Sequence, residues 1–226
     1  MTTLLQRIEI ESAPHPTAAV IWLHGLGASG SDFAAIVPEL DLVGCAPIRF
    51  VFPHAPAMPV SINNGYVMPA WYDIKNADLA RQEDPAGIYA SARAIEALVA
   101  HEVARGIAPE HIVLAGFSQG CAMALHTGLR HNARLAGIMA LSGYLPLADT
   151  LATERHPANL KIPIFMAHGT TDGVIPLARA EASRQVLLAQ DYAVQWHTYA
   201  MPHSVHPQEV ADISAFLQSV LGATKE

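Results

Sequence analysis

The stretch Leu114-Ala-Gly116-Phe-Ser118-Gln-Gly120 decides the fold, because it carries the pattern Gly-x-Ser-x-Gly between an apolar run and a helical one. A sharp turn from strand to helix exposes the serine hydroxyl, and the flanking glycines let strand and helix pack closely. The start of the helix then points backbone N–H groups at any oxyanion formed there. The pattern favours Ser118 as a nucleophile over a serine that merely caps a helix.

Short apolar runs and amphipathic runs alternate on both sides of this stretch. Strands are expected at 6–10, 19–23, 48–52, 112–117, 135–141, 162–167 and 194–199, and helices at 86–104, 119–129, 177–188 and 208–221. Several strand runs are apolar at consecutive positions, which is typical of parallel strands covered on both faces. The sequence therefore predicts the α/β class, with a mostly parallel central sheet, helices on both faces and one domain over 1–226.

A nucleophilic serine needs a base, and the base needs an acid to orient it. In hydrolases of this architecture the acid and then the histidine follow the serine along the chain. Asp172 follows the strand 162–167 and is the expected acid, with Asp149 as the fallback. The base is expected between the last strand and the last helix, where His203 and His206 both lie. Proximity to the carboxyl end of the sheet favours His203, but the spacing leaves both histidines open.

Other readings of the downstream histidines are weaker. His197 lies inside the last expected strand, so we expect it to be a packed or edge residue. His203 and His206 have the spacing of a pair of metal ligands, but no third ligand is evident nearby, and no metal is expected.

Two backbone N–H groups are expected to stabilise the oxyanion. One belongs to Gln119, the residue after the nucleophile, and the other comes from the loop after an early strand. The run His24-Gly-Leu26-Gly27 is placed for that role, and we assign it to the Leu26 N–H. His24 itself is expected to brace the loop.

The proline-rich segment 54–84 is far longer than an ordinary connection between a strand and a helix. It either covers one edge of the sheet or forms a wall that faces the substrate. On the second reading, Met68, Trp71 and Tyr72 are expected to bind substrate.

The composition excludes several classes of protein. Hydrophobic residues make up 51% of the 226 residues and charged residues 15%, which excludes intrinsic disorder. The net charge is −7, and no cluster of Lys and Arg is present, so neither a nucleic-acid partner nor a polybasic membrane anchor is expected. Two cysteines cannot form a disulfide framework. Without an evident signal peptide or a long apolar run, we expect no stable membrane insertion and a cytoplasmic location.

Several motifs occur together and in order along nearly the whole chain. They are Leu23-His-Gly-Leu-Gly27, Phe52-Pro-His-Ala-Pro56, Met68-Pro-Ala-Trp-Tyr-Asp-Ile74, Gly116-Phe-Ser-Gln-Gly120, Leu141-Ser-Gly-Tyr-Leu-Pro146, His168-Gly-Thr-Thr-Asp-Gly-Val-Ile-Pro176 and Met201-Pro-His-Ser204. With these motifs the chain resembles the phospholipase/carboxylesterase family of serine hydrolases. The resemblance implies an α/β-hydrolase fold without a large lid domain and a triad of Ser118, Asp172 and His203. It favours His203 over His206, because the family's base follows a methionine and precedes a serine.

The resemblance also implies an activity. The leading expectation is a serine carboxylesterase that hydrolyses short- to medium-chain esters through an acyl-enzyme intermediate, without a cofactor. The alternatives are an acyl-protein thioesterase or a lysophospholipase, and the non-enzymatic one is a hydrolase-fold binding module that has lost its activity. The expected partner is a small acyl ester or thioester substrate, and the protein is expected to be a monomer or a homodimer.

Overall fold

The computed structural model describes residues 4–76 and 83–222. Its strands are β1 (Arg7–Glu11), β2 (Ala18–Leu23), β3 (Ile48–Pro53), β4 (Ala57–Val60), β5 (Tyr66–Pro69), β6 (Ile112–Phe117), β7 (Gly137–Leu141), β8 (Ile164–Gly169) and β9 (Val194–Tyr199). Its helices are α1 (Ser31–Ala34), α2 (Pro85–Ala104), α3 (Gln119–Arg130), α4 (Leu151–Glu154), α5 (Leu177–Ala189) and α6 (Pro207–Leu221). Within the described ranges no helix combines the length and apolarity needed to cross a bilayer.

Seven strands form the central sheet in the order β1-β3-β2-β6-β7-β8-β9. The six strands from β3 to β9 run parallel, and only β1 is antiparallel, at the edge beside β3. The carboxyl ends of the parallel strands therefore meet at one edge of the sheet, where the loops after β2, β6, β8 and β9 come together. The predicted α/β architecture is confirmed.

The apolar core lies on both faces of this sheet. Alternate residues of β2 point to opposite sides, so Ile21 belongs to one cluster and Trp22 to the other. Helices α2, α3 and α5 pack on the first face, and α1 and α6 pack on the second. Because both faces are covered, the apolar runs of β2 and β3 are buried at every position.

The predicted boundaries are close to the observed ones, with informative exceptions. The expected strand 162–167 begins at Ile164 instead, since Pro163 has no N–H to donate to the sheet. The sequence does not predict the separate antiparallel hairpin β4–β5, whose four-residue strands contain Pro59 and Pro69. This hairpin lies within the long segment 54–84, of which residues 77–82 are outside the described ranges.

Candidate active site

Ser118 lies on a strained turn between β6 and α3. Its φ of 57° and ψ of −119° are rare for a residue with a side chain. The Ser118 N–H donates to the carbonyl of Leu141 at 2.9 Å, which ties the turn to the end of β7. The hydroxyl makes no capping bond to α3, so the structure gives it no role as a helix cap.

Two glycines allow this turn. A Cβ on Gly116 would overlap the carbonyl of Gly120, and a Cβ on Gly120 would overlap the carbonyl of Leu23. The strand, the helix start and the end of β2 therefore approach more closely than any larger residue permits.

His203 and Asp172 meet although 31 positions separate them. Asp172 lies in the loop after β8, and His203 lies in the loop after β9. His203 Nδ1 is 2.6 Å from Asp172 Oδ2, while Asp172 Oδ1 accepts from the backbone N–H groups of Val174 at 2.8 Å and Ile175 at 2.9 Å. Both carboxylate oxygens are thus held, and with them the orientation of the imidazole.

The pKa of Asp172 reflects two opposing effects. Burial of the side chain raises the pKa, but the hydrogen bonds from His203 and from the N–H groups of Ile175 and Val174 outweigh it. The pKa of Asp172 lies below its ordinary value as a result. The carboxylate is therefore ionised at neutral pH beside the imidazole.

Ser118 and His203 face the same cavity, which has a volume of about 350 Å³. No hydrogen bond joins the two side chains within the described residues, and such catalytic bonds often tighten only in the complex with substrate. Most of the lining is apolar or aromatic: the residues are Leu26, Ile62, Asn63, Tyr72, Ile74, Ser118, Gln119, Tyr144, Val174, Ile175 and His203. The cavity suits an apolar chain attached to a group that reacts at Ser118.

Backbone donors lie beside the serine. Gln119 is the first residue of α3, where an N–H has no acceptor within the helix. Among the described residues, the N–H of Leu26 donates to no protein group. A Cβ added to Gly25 would lie 3.2 Å from Ser118 Cβ, so the loop after β2 runs against the serine.

The structure places Trp71 and Met68 differently from the sequence-based expectation. Neither residue lines the cavity, whereas Tyr72 does. The Trp71 indole is buried and donates to the carbonyl of His24 at 2.8 Å, and its backbone N–H donates to the Gln119 side chain at 2.8 Å. Trp71 therefore braces the loop after β2 and the start of α3.

His24 has the bracing position that the sequence suggests. Its Nδ1 donates to the carbonyl of Gly25 at 2.7 Å, and its Nε2 accepts from the N–H of Ala55 at 3.0 Å. Burial lowers the pKa of His24, which is consistent with a neutral ring that donates from one nitrogen and accepts at the other.

The alternative acid and base lie elsewhere. Asp149 is exposed in the 3₁₀ turn Ala148–Thr150, outside the cavity. His206 is the N-cap of α6, where its Nδ1 accepts from the N–H of Gln208 at 3.1 Å. His197 stacks on Phe165, with ring centroids 4.9 Å apart. None of these three side chains meets Ser118.

The sequence reasoning missed His168, which is fully buried beside Asp172. Its Nε2 donates to the carbonyl of Ile175 at 2.9 Å and lies 3.4 Å from Asp172 Oδ2. Ile74, Tyr144 and Val174 were also not assigned to the cavity, although each lies within one of the ordered motifs.

The described residues contain one group of possible metal ligands, namely Glu9, His101 and Glu102, and none of these residues lines the cavity of Ser118. Arginine side chains occupy it. Arg105 bonds both carboxylates, and the guanidinium of Arg7 lies 2.9 Å from His101 Nε2. These cations would repel a metal ion, so the group is better read as a network of ion pairs.

Removal of the Trp71 indole N–H should reveal its bracing role. Trp71→Phe leaves the buried carbonyl of His24 without a donor, and we expect a loss of about 2 kcal/mol in the free energy of unfolding. Trp22→Phe is the matched control, because Trp22 is equally buried but its Nε1 has no partner among the described residues. Urea denaturation should show the larger loss for Trp71→Phe, and equal losses would refute the bracing role.

The sequence and the fold of this chain resemble those of known hydrolases. Residues 5–221 match a protein family described as Phospholipase/Carboxylesterase. Acyl-protein thioesterase 1 of Gibberella zeae is 40% identical over 224 residues, covering 93% of each chain. Acyl-protein thioesterase 1 of Yarrowia lipolytica is 38% identical over 93% of this chain and 95% of its own. The crystal structure of Zea mays acyl-protein thioesterase 2 superposes with a TM-score of 0.80 at 29% identity, covering 95% of this chain and 99% of that one.

Proposed function

This chain belongs to the phospholipase/carboxylesterase family, and we propose that it hydrolyses the thioester bonds of acylated proteins with Ser118 as its nucleophile. One observation carries the chemistry: the strained Ser118 and the hydrogen-bonded pair of His203 and Asp172 face the same largely apolar cavity. Hydrolysis of an acyl bond by a nucleophilic serine uses these three groups and needs a place for the acyl chain.

The relatives reverse the order of the sequence-based expectations. A carboxylesterase was the leading expectation and an acyl-protein thioesterase the alternative. The similar proteins are named acyl-protein thioesterases, so the alternative has the better support.

The positions of these groups support the following reaction. His203 Nε2 takes the proton from Ser118 Oγ as the oxygen attacks the acyl carbonyl, and the C–S bond then breaks. The departing sulfur takes that proton from His203, which leaves an acyl group on Ser118. Water, deprotonated by His203, attacks this ester and releases the free acid, and the proton returns to Ser118 Oγ.

Two further groups stabilise the charges that develop. The backbone N–H groups of Leu26 and Gln119 donate to the oxyanion of each tetrahedral intermediate. The Asp172 carboxylate, which stays ionised, stabilises the imidazolium and holds the Nδ1 proton of His203 towards itself. The Gln119 side chain accepts from the N–H of Trp71 and donates to the carbonyl of Tyr72. These two bonds help to hold the backbone N–H of Gln119 in place.

The acyl chain would occupy the cavity beside Tyr72 and Ile74. Tyr72 and Tyr144 share a hydrogen bond of 2.9 Å between their hydroxyls. Burial raises the pKa of both, that of Tyr144 to about 12, so the two rings present a neutral wall to an apolar chain.

Carboxylesterase activity is the second candidate, since the family includes such enzymes by name and the same groups would cleave an oxygen ester. The test compares matched oxygen esters and thioesters of one alcohol and its thiol analogue over a series of acyl lengths. We expect kcat/KM to be at least about tenfold higher for the thioesters. Equal or higher values for the esters would favour the carboxylesterase.

A further inference from the structure

A second depression lies beside the candidate active site. This acidic groove has a volume of about 550 Å³ and is lined by Asp32, Phe33, Ile36, Glu39, Asp41, Val205, His206, Pro207, Val210, Ala211 and Ser214. Its lining contains no Lys or Arg, and within the described residues Asp32, Glu39 and Asp41 form no ion pair. All three carboxylates are exposed above an apolar floor.

The groove is connected to the site through both of its walls. One wall is the region of α1, which follows directly from the loop that carries Leu26, and the other is the start of α6, which follows the loop of His203. The floor residue Phe33 contacts Phe117 with ring centroids 5.4 Å apart, and Phe117 contacts His203 at 4.7 Å. Phe117 therefore contacts both the floor of the groove and His203, so the groove lies on the His203 side of the candidate site.

We propose that the acidic groove binds a basic segment of the acylated protein next to the acylated cysteine. This inference rests on the proposed function, in which His203 protonates the cysteine sulfur and so lies beside the protein part of the substrate. Three unpaired carboxylates attract Lys and Arg, while the half-buried Phe33, Ile36 and Val210 can pack against the aliphatic stems of those side chains. An anionic membrane surface would be repelled by the same carboxylates.

Basic residues are chemically reasonable in such a substrate. A single acyl chain gives only reversible membrane binding, and a polybasic stretch near the lipid is one common second signal. The net charge of −7 and the local cluster of unpaired carboxylates would raise the association rate of substrates that carry basic residues near the acyl chain.

The test uses a triple variant, Asp32→Asn, Glu39→Gln and Asp41→Asn, which removes charge but keeps the acceptors for the backbone N–H groups of Ser29 and Val43. The control variant is Glu110→Gln, Glu181→Gln and Asp191→Asn. It changes the net charge equally at exposed carboxylates outside the groove. Three substrates are compared: an S-acylated peptide flanked by lysines, the same peptide flanked by serines, and S-acyl-N-acetylcysteamine.

We expect the wild-type protein and the control variant to hydrolyse the lysine peptide with a kcat/KM about tenfold above that of the serine peptide, an advantage that added salt removes. The groove variant should lose this advantage and keep its rates on the other two substrates. An unchanged advantage of the lysine peptide in the groove variant would overturn the proposal. If the oligomeric mass of that variant changed at the same time, the groove would be a contact between copies of the chain instead.

Failure of the proposed function would look different. In that case the wild-type protein would not hydrolyse S-acyl-N-acetylcysteamine at all. Fluorescence anisotropy of the unacylated lysine peptide would still measure the groove directly. Tighter binding to the control variant than to the groove variant would support the groove, and equal binding would refute it.

Discussion

Replacement of Ser118 by alanine is expected to lower kcat for thioester hydrolysis by about 10⁴- to 10⁶-fold. The substitution removes the hydroxyl that we propose as the nucleophile and leaves the cavity and the backbone donors in place. Some acceleration over water should remain, since the N–H groups of Leu26 and Gln119 can still stabilise an oxyanion. Single-turnover kinetics with a small thioester measure the loss.

The variant should fold normally, because alanine keeps the Cβ and the Ser118 hydroxyl caps no helix. Ser142→Ala is a matched control: Ser142 also has a positive φ, of 47°, at the end of the neighbouring strand, and its buried hydroxyl has no partner among the described residues. We expect Ser142→Ala to retain activity within about twofold and to react with a fluorophosphonate probe. Substantial turnover by Ser118→Ala would refute the nucleophile assignment.

The sequence was sufficient for those parts of the molecule that depend on local pattern. The consecutive apolar residues of β2, β3 and β6 indicate buried parallel strands, and the glycines around Ser118 indicate the sharp turn. Asp172 could be proposed because parallel strands deliver their following loops to one edge of the sheet. Spacing alone does not decide between His203 and His206, because the helix that His206 caps starts only four residues after His203.

The segment 54–84 shows where such reasoning fails. Prolines within β4 and β5 argue against strands, so the sequence does not predict this hairpin. The orientation of Trp71 depends on a bond to the Gln119 side chain, 48 positions later. Apolar character predicts that Trp71 contacts substrate; in the structure its side chain lies outside the cavity lining and its indole N–H donates to the buried carbonyl of His24. Contacts of this kind carry no periodic signal, so only the folded structure reveals them.

The charge of Asp172 should contribute to stability in a pH-dependent way. Its pKa in the folded protein is lower than its ordinary value, so its ionisation stabilises the fold above about pH 4. That contribution is lost as the pH falls through the lowered pKa. The difference in unfolding free energy between wild type and Asp172→Asn should therefore shrink in acid, as measured by urea denaturation at pH 7 and below pH 3. A difference that grows in acid would contradict this sign.

Asp172→Asn should also lower kcat by about 10⁴-fold, because it reverses the tautomer of His203. The amide oxygen of the variant must face the N–H groups of Val174 and Ile175, since the NH₂ group would meet two donors there. The NH₂ group then faces His203 Nδ1, which lies 2.6 Å from Oδ2 in the wild type. Nδ1 can only accept from it, so the ring proton moves to Nε2.

A proton on Nε2 prevents His203 from accepting the one on Ser118 Oγ, so the variant should bind a thioester normally but react slowly. Asp149→Asn is the control for the fallback acid, and its exposed position predicts activity within about twofold of wild type. The kcat of both variants with one small thioester separates the two carboxylates. A large loss in Asp149→Asn with little loss in Asp172→Asn would transfer the role to the fallback residue. A higher KM with an unchanged kcat in Asp172→Asn would mean that the carboxylate shapes the cavity and does not orient the base.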